Sequence, residues 1–254
     1  MTSGYIPRYA SYCATGGPPF NPLSIAGCTL WLDGNDPLAT GVQPENDSSL
    51  DVWYDKSPSL TNFTSLATPP IFYADSYKAL GSIYTSGDGC YMGTDGFIAN
   101  INSTAMTLLC MCQINSGIGE IIGTPFSSRD GSSGPSYGYN FYAVNNPAGP
   151  DWEGWAGPGT PGFNQVLMAP LVEAVNFLCA ARIGSGSVEF FGNGTSYGSL
   201  VISPMTDKPS YISSVEGDAF QFPGFIREIV SYDSTLSDGD LALITGYLTS
   251  RWQS

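Results

Sequence analysis

The sequence predicts an all-β protein, two antiparallel sheets packed face to face and closed by one short C-terminal helix. Three observations lead there. Short runs of β-branched and aromatic residues recur along the chain, and 15 Tyr and 13 Phe supply side chains that suit a pleated surface. Turn formers separate these runs, with 31 Gly and 19 Pro in 254 residues. Clear helical spacing is confined to the end of the chain, where Leu241, Ile244, Leu248 and Trp252 fall on one face. The length suits one sandwich domain at 23–254, preceded by an arm at 1–22.

The arm is Gly, Pro, Ser and Tyr without a period, yet Tyr5, Ile6, Tyr9, Tyr12 and Phe20 make it too aromatic for a freely solvated tail. It is expected to dock, either on its own domain or on a neighbouring subunit. Cys28 to Asp33 reads as a strand ended by Gly34-Asn35-Asp36-Pro37, and Val52 to Asp55 as a second. In Ala105 to Ile114 the residues Met106, Leu108, Cys110, Cys112 and Ile114 alternate, as a sandwich strand requires. Ile118 to Thr124, Tyr139 to Val144, Asn176 to Ile183, Val188 to Phe191 and Tyr211 to Ser214 read as further strands. Gly184-Ser185-Gly186-Ser187 is a hairpin turn, and Asn193-Gly194 is another reversal. Phe225 to Tyr232 is the closing strand. Ser237 then N-caps the helix, with Asp238 and Asp240 in its first turn and Arg251 in its last.

Charge and composition exclude several functions. Lys+Arg 8 against Asp+Glu 22 gives a net charge of −14, which disfavours nucleic acid and anionic membranes. No apolar run has the length of a membrane helix, and the first residues carry no basic segment followed by an apolar one, so no secretory signal is expected. Charged residues are 12% of the chain, about half the usual share, so the surface is neutral and polar. Six cysteines in a chain this long do not make a disulfide framework and are read as buried thiols; a Cys110-x-Cys112 zinc site lacks histidine and a second close pair.

Leu30-Trp31-Leu32-Asp33-Gly34-Asn35-Asp36, Val52-Trp53-Tyr54-Asp55-Lys56-Ser57, Phe225 to Tyr232, Leu236-Ser237 and the Tyr247-Leu248 to Arg251-Trp252 ending occur in that order. Together they resemble the signposts of a concanavalin A-like, laminin-G-like jelly-roll domain, of the type found in phage and other viral structural proteins and in bacterial surface proteins. Pro58, where that motif usually has Gly, and the arm depart from it. The resemblance implies a two-sheet jelly-roll sandwich. It also implies a non-catalytic virion protein, a capsid decoration or fibre, anchored to other virion proteins by the arm and oligomeric. A carbohydrate-binding module for host-surface glycans is the alternative, and a glycan-cleaving enzyme a weaker third.

Catalysis has little to stand on. Histidine is absent, which removes imidazole acid–base and triad chemistry. The tight Glu-x-Asp-x-x-Glu run of the family's hydrolases is missing, and Glu189 and Glu228 are the pair left to meet across a sheet. Asp33, Asn35 and Asp36 offer hard oxygen ligands at a strand end, where laminin-G-like domains often hold calcium, but the same residues form an ordinary Asx turn. No other cofactor is expected. Between Ser127 and Asn164, aromatic rings stand among polar residues. Trp152, Trp155 and Tyr137, with Arg129 and Asp151, are the candidates to stack on and hydrogen-bond to a sugar, while about half the rings of this stretch should point into the sandwich.

Overall fold

The computed structural model describes residues 19–86, 89–94, 105–115, 121–130, 137–145, 150–203, 210–215 and 220–253. A 3-10 turn at Pro22–Ser24 leads into β1 (Cys28–Asp33). Then come β2 (Ser48–Ser49), β3 (Val52–Trp53), β4 (Phe63–Ser65), β5 (Ile71–Tyr77), β6 (Leu80–Thr85), β7 (Met92–Gly93), β8 (Ala105–Ile114) and β9 (Ile121–Gly123). The second half holds β10 (Phe126–Asp130), β11 (Tyr137–Asn145), β12 (Asp151–Ala156), β13 (Asn164–Pro170), β14 (Phe177–Gly184), β15 (Ser187–Gly192), β16 (Thr195–Val201), β17 (Tyr211–Ile212), β18 (Gly224–Tyr232) and α1 (Asp238–Trp252).

These strands form two antiparallel sheets. The back sheet runs β16-β15-β14-β8-β18-β6-β5-β2, with β1 also paired to β18; the front sheet runs β13-β12-β11-β10-β17-β7-β4-β3, with β9 beside β11. Their inner faces share one core. Met106, Leu108, Cys110, Cys112 and Ile114 of β8 all lie in it, with Phe141, Trp152, Phe190 and Ile229. The alternation read from the sequence is therefore the inward face of β8, and its other parity, Leu109 and Met111, lies in a second core beneath α1. The five described cysteines are free and buried.

The back sheet is covered on both faces. Leu241, Ile244, Leu248 and Trp252 of α1 pack on Trp31, Leu109, Leu178, Val230 and Tyr232. Ser237 caps the helix by accepting from the Asp240 amide at 3.1 Å. The two hairpins that flank β15 turn on Ser185-Gly186 and Asn193-Gly194, each pair with positive φ, the geometry that matches strand twist. Strands β2, β4, β5, β6, β10, β13 and β16 were not expected from the sequence. β16 is an edge strand whose residues are mostly exposed, so it lacks the buried stripe that marks a strand.

Of the arm, Tyr5, Ile6, Tyr9 and Tyr12 lie outside the described residues. Phe20 is described, and it packs on its own domain, its ring 5.8 Å from that of Tyr247.

Candidate functional site

The motif residues at the two ends of the domain meet under α1. The register of β18 against β8 slips between Ile226 and Glu228, so one extra residue, Arg227, is inserted. Ile226 and Ile229 both face the inter-sheet core, while Arg227 and Glu228 both contact the helix side, where a regular strand would send only one of them. Gly34 permits this crowding, because a Cβ there would lie 2.3 Å from the Arg227 carbonyl oxygen.

Glu228 is fully buried and takes four donors. Trp31 Nε1 at 2.8 Å and Tyr247 Oη at 3.2 Å donate to Oε1; Trp252 Nε1 at 2.8 Å and Arg251 Nη1 at 3.0 Å donate to Oε2. Burial pushes its carboxyl up to about 7, against the downward pull of the Arg251 guanidinium. Arg227, also buried, donates to Asn176 Oδ1 at 3.0 Å, to Ser76 Oγ at 2.8 Å, and to Ser82 and Gln113. These are neutral acceptors, and burial lowers its pKa to about 10.

This network also decides the calcium expectation. Asp33 Oδ1 accepts from Arg251 Nη2 at 2.9 Å and Oδ2 from Lys56 Nζ at 3.1 Å. Asp36 takes Lys56 at 3.0 Å and the amides of Thr40 and Gly41 at 3.0 Å each. Asn35 Oδ1 accepts from the Gly81 amide at 2.8 Å and from Gln43 at 2.6 Å. Lys56 and Arg251 take both Asp33 oxygens and Asp36 Oδ2, and amides take Asp36 Oδ1 and Asn35 Oδ1, so each oxygen already has a donor and in this arrangement the residues do not fit the ion. Among the described residues, no three acidic or thiol side chains group as a metal site. Glu189 and Glu228 do not meet either. Two strands, β14 and β8, stand between theirs, and Glu189 pairs with Arg182 at 2.7 Å.

The outer face of the front sheet is different. In β11, Tyr139, Phe141 and Ala143 face the core, so Asn140, Tyr142 and Val144 face outward. Across the sheet Asn140 stands between Ser127 of β10 and Trp155 of β12, and Tyr142 stands opposite Glu153. Trp155 is half-buried; its ring meets Tyr142 edge-on at 5.2 Å and Phe163 at 6.3 Å. Phe220, 43% exposed, meets Tyr142 at 5.6 Å. Trp155 Nε1 donates to Glu153 Oε2 at 2.6 Å. A half-buried indole and an exposed phenylalanine ring packed on the buried Tyr142, beside a carboxylate and a carboxamide, have the chemistry to stack on an apolar ring face and bond its polar rim.

Only part of the expected sugar-binding set is here. Trp155 and Asp151 share the outward parity of β12. Trp152 has the other parity: it is 1% exposed and stacks on Phe177 at 4.8 Å in the core, which corrects its reading as a surface residue. Tyr137 is half-buried at the start of β11, on the inward parity of Tyr139. Arg129 pairs with Gly138 in the backbone register, and its side chain lies outside the described residues. Asn140, Tyr142 and Glu153 were missed. Their signal was the parity of β11 and β12, which needs the register to read.

No family model and no curated protein sequence matches the chain. Solved structures do. The botulinum neurotoxin serotype D binding domain aligns with a TM-score of 0.61 at 12% identity over 87% of this chain and 52% of that one. The chain shares its fold with that domain. Domain 4 of a GH43 extracellular arabinanase from Geobacillus stearothermophilus, in complex with arabinotriose, gives 0.60 at 11% over 86% of this chain and 98% of that one. Trypanosoma rangeli sialidase in complex with 2,3-difluorosialic acid gives 0.59 at 12% over 89% of this chain. This chain spans about half of the toxin chain and 33% of the sialidase chain.

Proposed function

We propose that the protein is a non-catalytic carbohydrate-binding β-sandwich that holds a glycan on the outer face of its front sheet. The observation that carries this reading is the Trp155 patch: a half-buried indole fixed by Glu153 and continued by Tyr142, Phe163 and Phe220. Such a surface stacks on a sugar face while carboxylate and amide groups take the hydroxyls. The fold neighbours support it, since they include a toxin's binding domain and an arabinanase domain bound to arabinotriose. Against catalysis stands the commitment of Glu228 and Asp33 to Arg251 and of Glu189 to Arg182.

Display on a virion, through the arm and other virion proteins, draws on the sequence resemblance alone, and the fold neighbours favour its glycan-binding half. A glycan array tests the main reading. The protein is expected to bind a defined set of glycans and Trp155→Ala to lose them, while equal binding by the variant, or no binding by either, refutes it. For the arm, deletion of residues 1–20 is expected to abolish incorporation into particles and leave the domain folded.

A further inference from the structure

Among the described residues, single buried hydroxyls of Thr124, Ser128, Ser210 and Ser231 lack partners, and Asn140 lacks them at both of its polar atoms. It is fully buried, and neither Nδ2 nor Oδ1 has a hydrogen-bond partner among the described residues. The polar groups on each side are already committed. Ser127 Oγ donates to the Ser214 carbonyl at 2.6 Å, and the Trp155 indole donates to Glu153. A buried carboxamide without partners is expensive, and native proteins almost always satisfy one. Here it lies on the outward parity of β11, directly across from the half-buried indole of the patch.

Resting on the glycan-binding reading, we infer that Asn140 reads the ligand and that the ligand is an uncharged saccharide. A carboxamide presents an acceptor and a donor side by side, so it pairs with a group that returns a donor and an acceptor in the same plane. Two sugar features can serve it: a vicinal diol meets both atoms at once, and an acetamido group, whose N–H and C=O point in opposite directions, meets one of them. Neither requires a charge. Glu153, an acceptor when ionised, stands one strand over opposite Tyr142 and takes a hydroxyl but repels a carboxylate or sulfate, as does the net charge of −14. Asn140 is fully buried, so a sugar reaches it by displacing the side chains above it, and entry gains the pairing that Asn140 lacks in the free protein. Asn140 is therefore the residue that distinguishes sugars, and Trp155 the residue that holds any of them.

The test uses the full chain and three probes: arabinotriose for the diol, chitotriose for the acetamido group and sialyllactose for an anionic sugar. Titration calorimetry and thermal melts are run on the wild type, Asn140→Ala and Trp155→Ala. At least one neutral probe is expected to bind, sialyllactose is expected to bind more weakly, and Asn140→Ala should weaken the neutral probe by about tenfold or more, the scale of one lost pairing. The melting temperature of free Asn140→Ala should equal or exceed the wild type, because no protein partner is lost. A melt lowered by several degrees, unchanged affinity in Asn140→Ala, or a preference for sialyllactose overturns the inference. In those last two cases, a loss in Trp155→Ala leaves the glycan-binding reading standing. No binding of any probe and no effect of Trp155→Ala sinks both.

Discussion

The two faces of this sandwich use the same pieces to opposite ends. Beneath α1, indoles donate to Glu228, and Asn176 is fully employed, its Oδ1 accepting from Arg227 and its Nδ2 donating to the Trp252 carbonyl. On the outer front sheet, the Trp155 indole donates to Glu153, but Asn140 pairs with nothing among the described residues. Glu228 is fully buried, whereas Glu153 keeps 8% of its surface in water. The difference separates a polar cluster spent on structure from the one proposed to take a ligand. Where every donor and acceptor is consumed, the cluster joins the chain ends; where one is left over beside a half-buried ring, it can receive a guest.

The largest effect should come from breaking the first cluster. Glu228→Ala leaves two buried indole N–H groups without an acceptor and the Arg251 guanidinium with Asp33 and Tyr247 alone, and should cost about 3–5 kcal/mol in urea unfolding. A cost below about 1 kcal/mol would mean that the network is incidental.

Acid should act on the same residue in a defined direction. Burial raises the Glu228 carboxyl to about 7 from its ordinary 4.5, so the folded protein keeps a proton that the unfolded chain has released. This contribution to stability is fully present below about pH 4.5 and is lost as the pH rises through about 7, with an upper size of about 3 kcal/mol. In Glu228→Gln that part of the pH dependence should vanish. An equal slope in wild type and variant between pH 5 and 8 would contradict the assignment.

The sharpest contrast is between the two asparagines. Asn176→Ala leaves Nε of the buried Arg227 without its acceptor and the Trp252 carbonyl without its side-chain donor and should cost about 1.5–3 kcal/mol, while Asn140→Ala should change stability by less than about 0.5 kcal/mol or raise it. Equal losses would erase the distinction between the faces.

The capped helix, the alternation of β8 and the hairpin turns were legible because each rests on neighbours a few residues apart. The surroundings of Asp33 were not legible, for the opposite reason. Whether Asp33 meets an ion or a cation of the chain is decided by Lys56 and by Arg251, 218 residues away. Trp152 and Trp155 show the same limit on a smaller scale. Their strand alternates visibly, but which parity faces water follows from pairing with β11, and a shift of one residue would exchange their roles.

The indole N–H spectrum tests the central claim most directly, since the chain has five tryptophans and each gives one signal. Adding arabinotriose, or chitotriose if that is the better binder, should move the Trp155 signal, identified by its loss in Trp155→Phe, and leave those of Trp31, Trp152 and Trp252 in place. A Trp155 signal that stays put while Trp31 or Trp252 moves would place the glycan at the α1 end of the molecule and contradict the assignment of the front sheet.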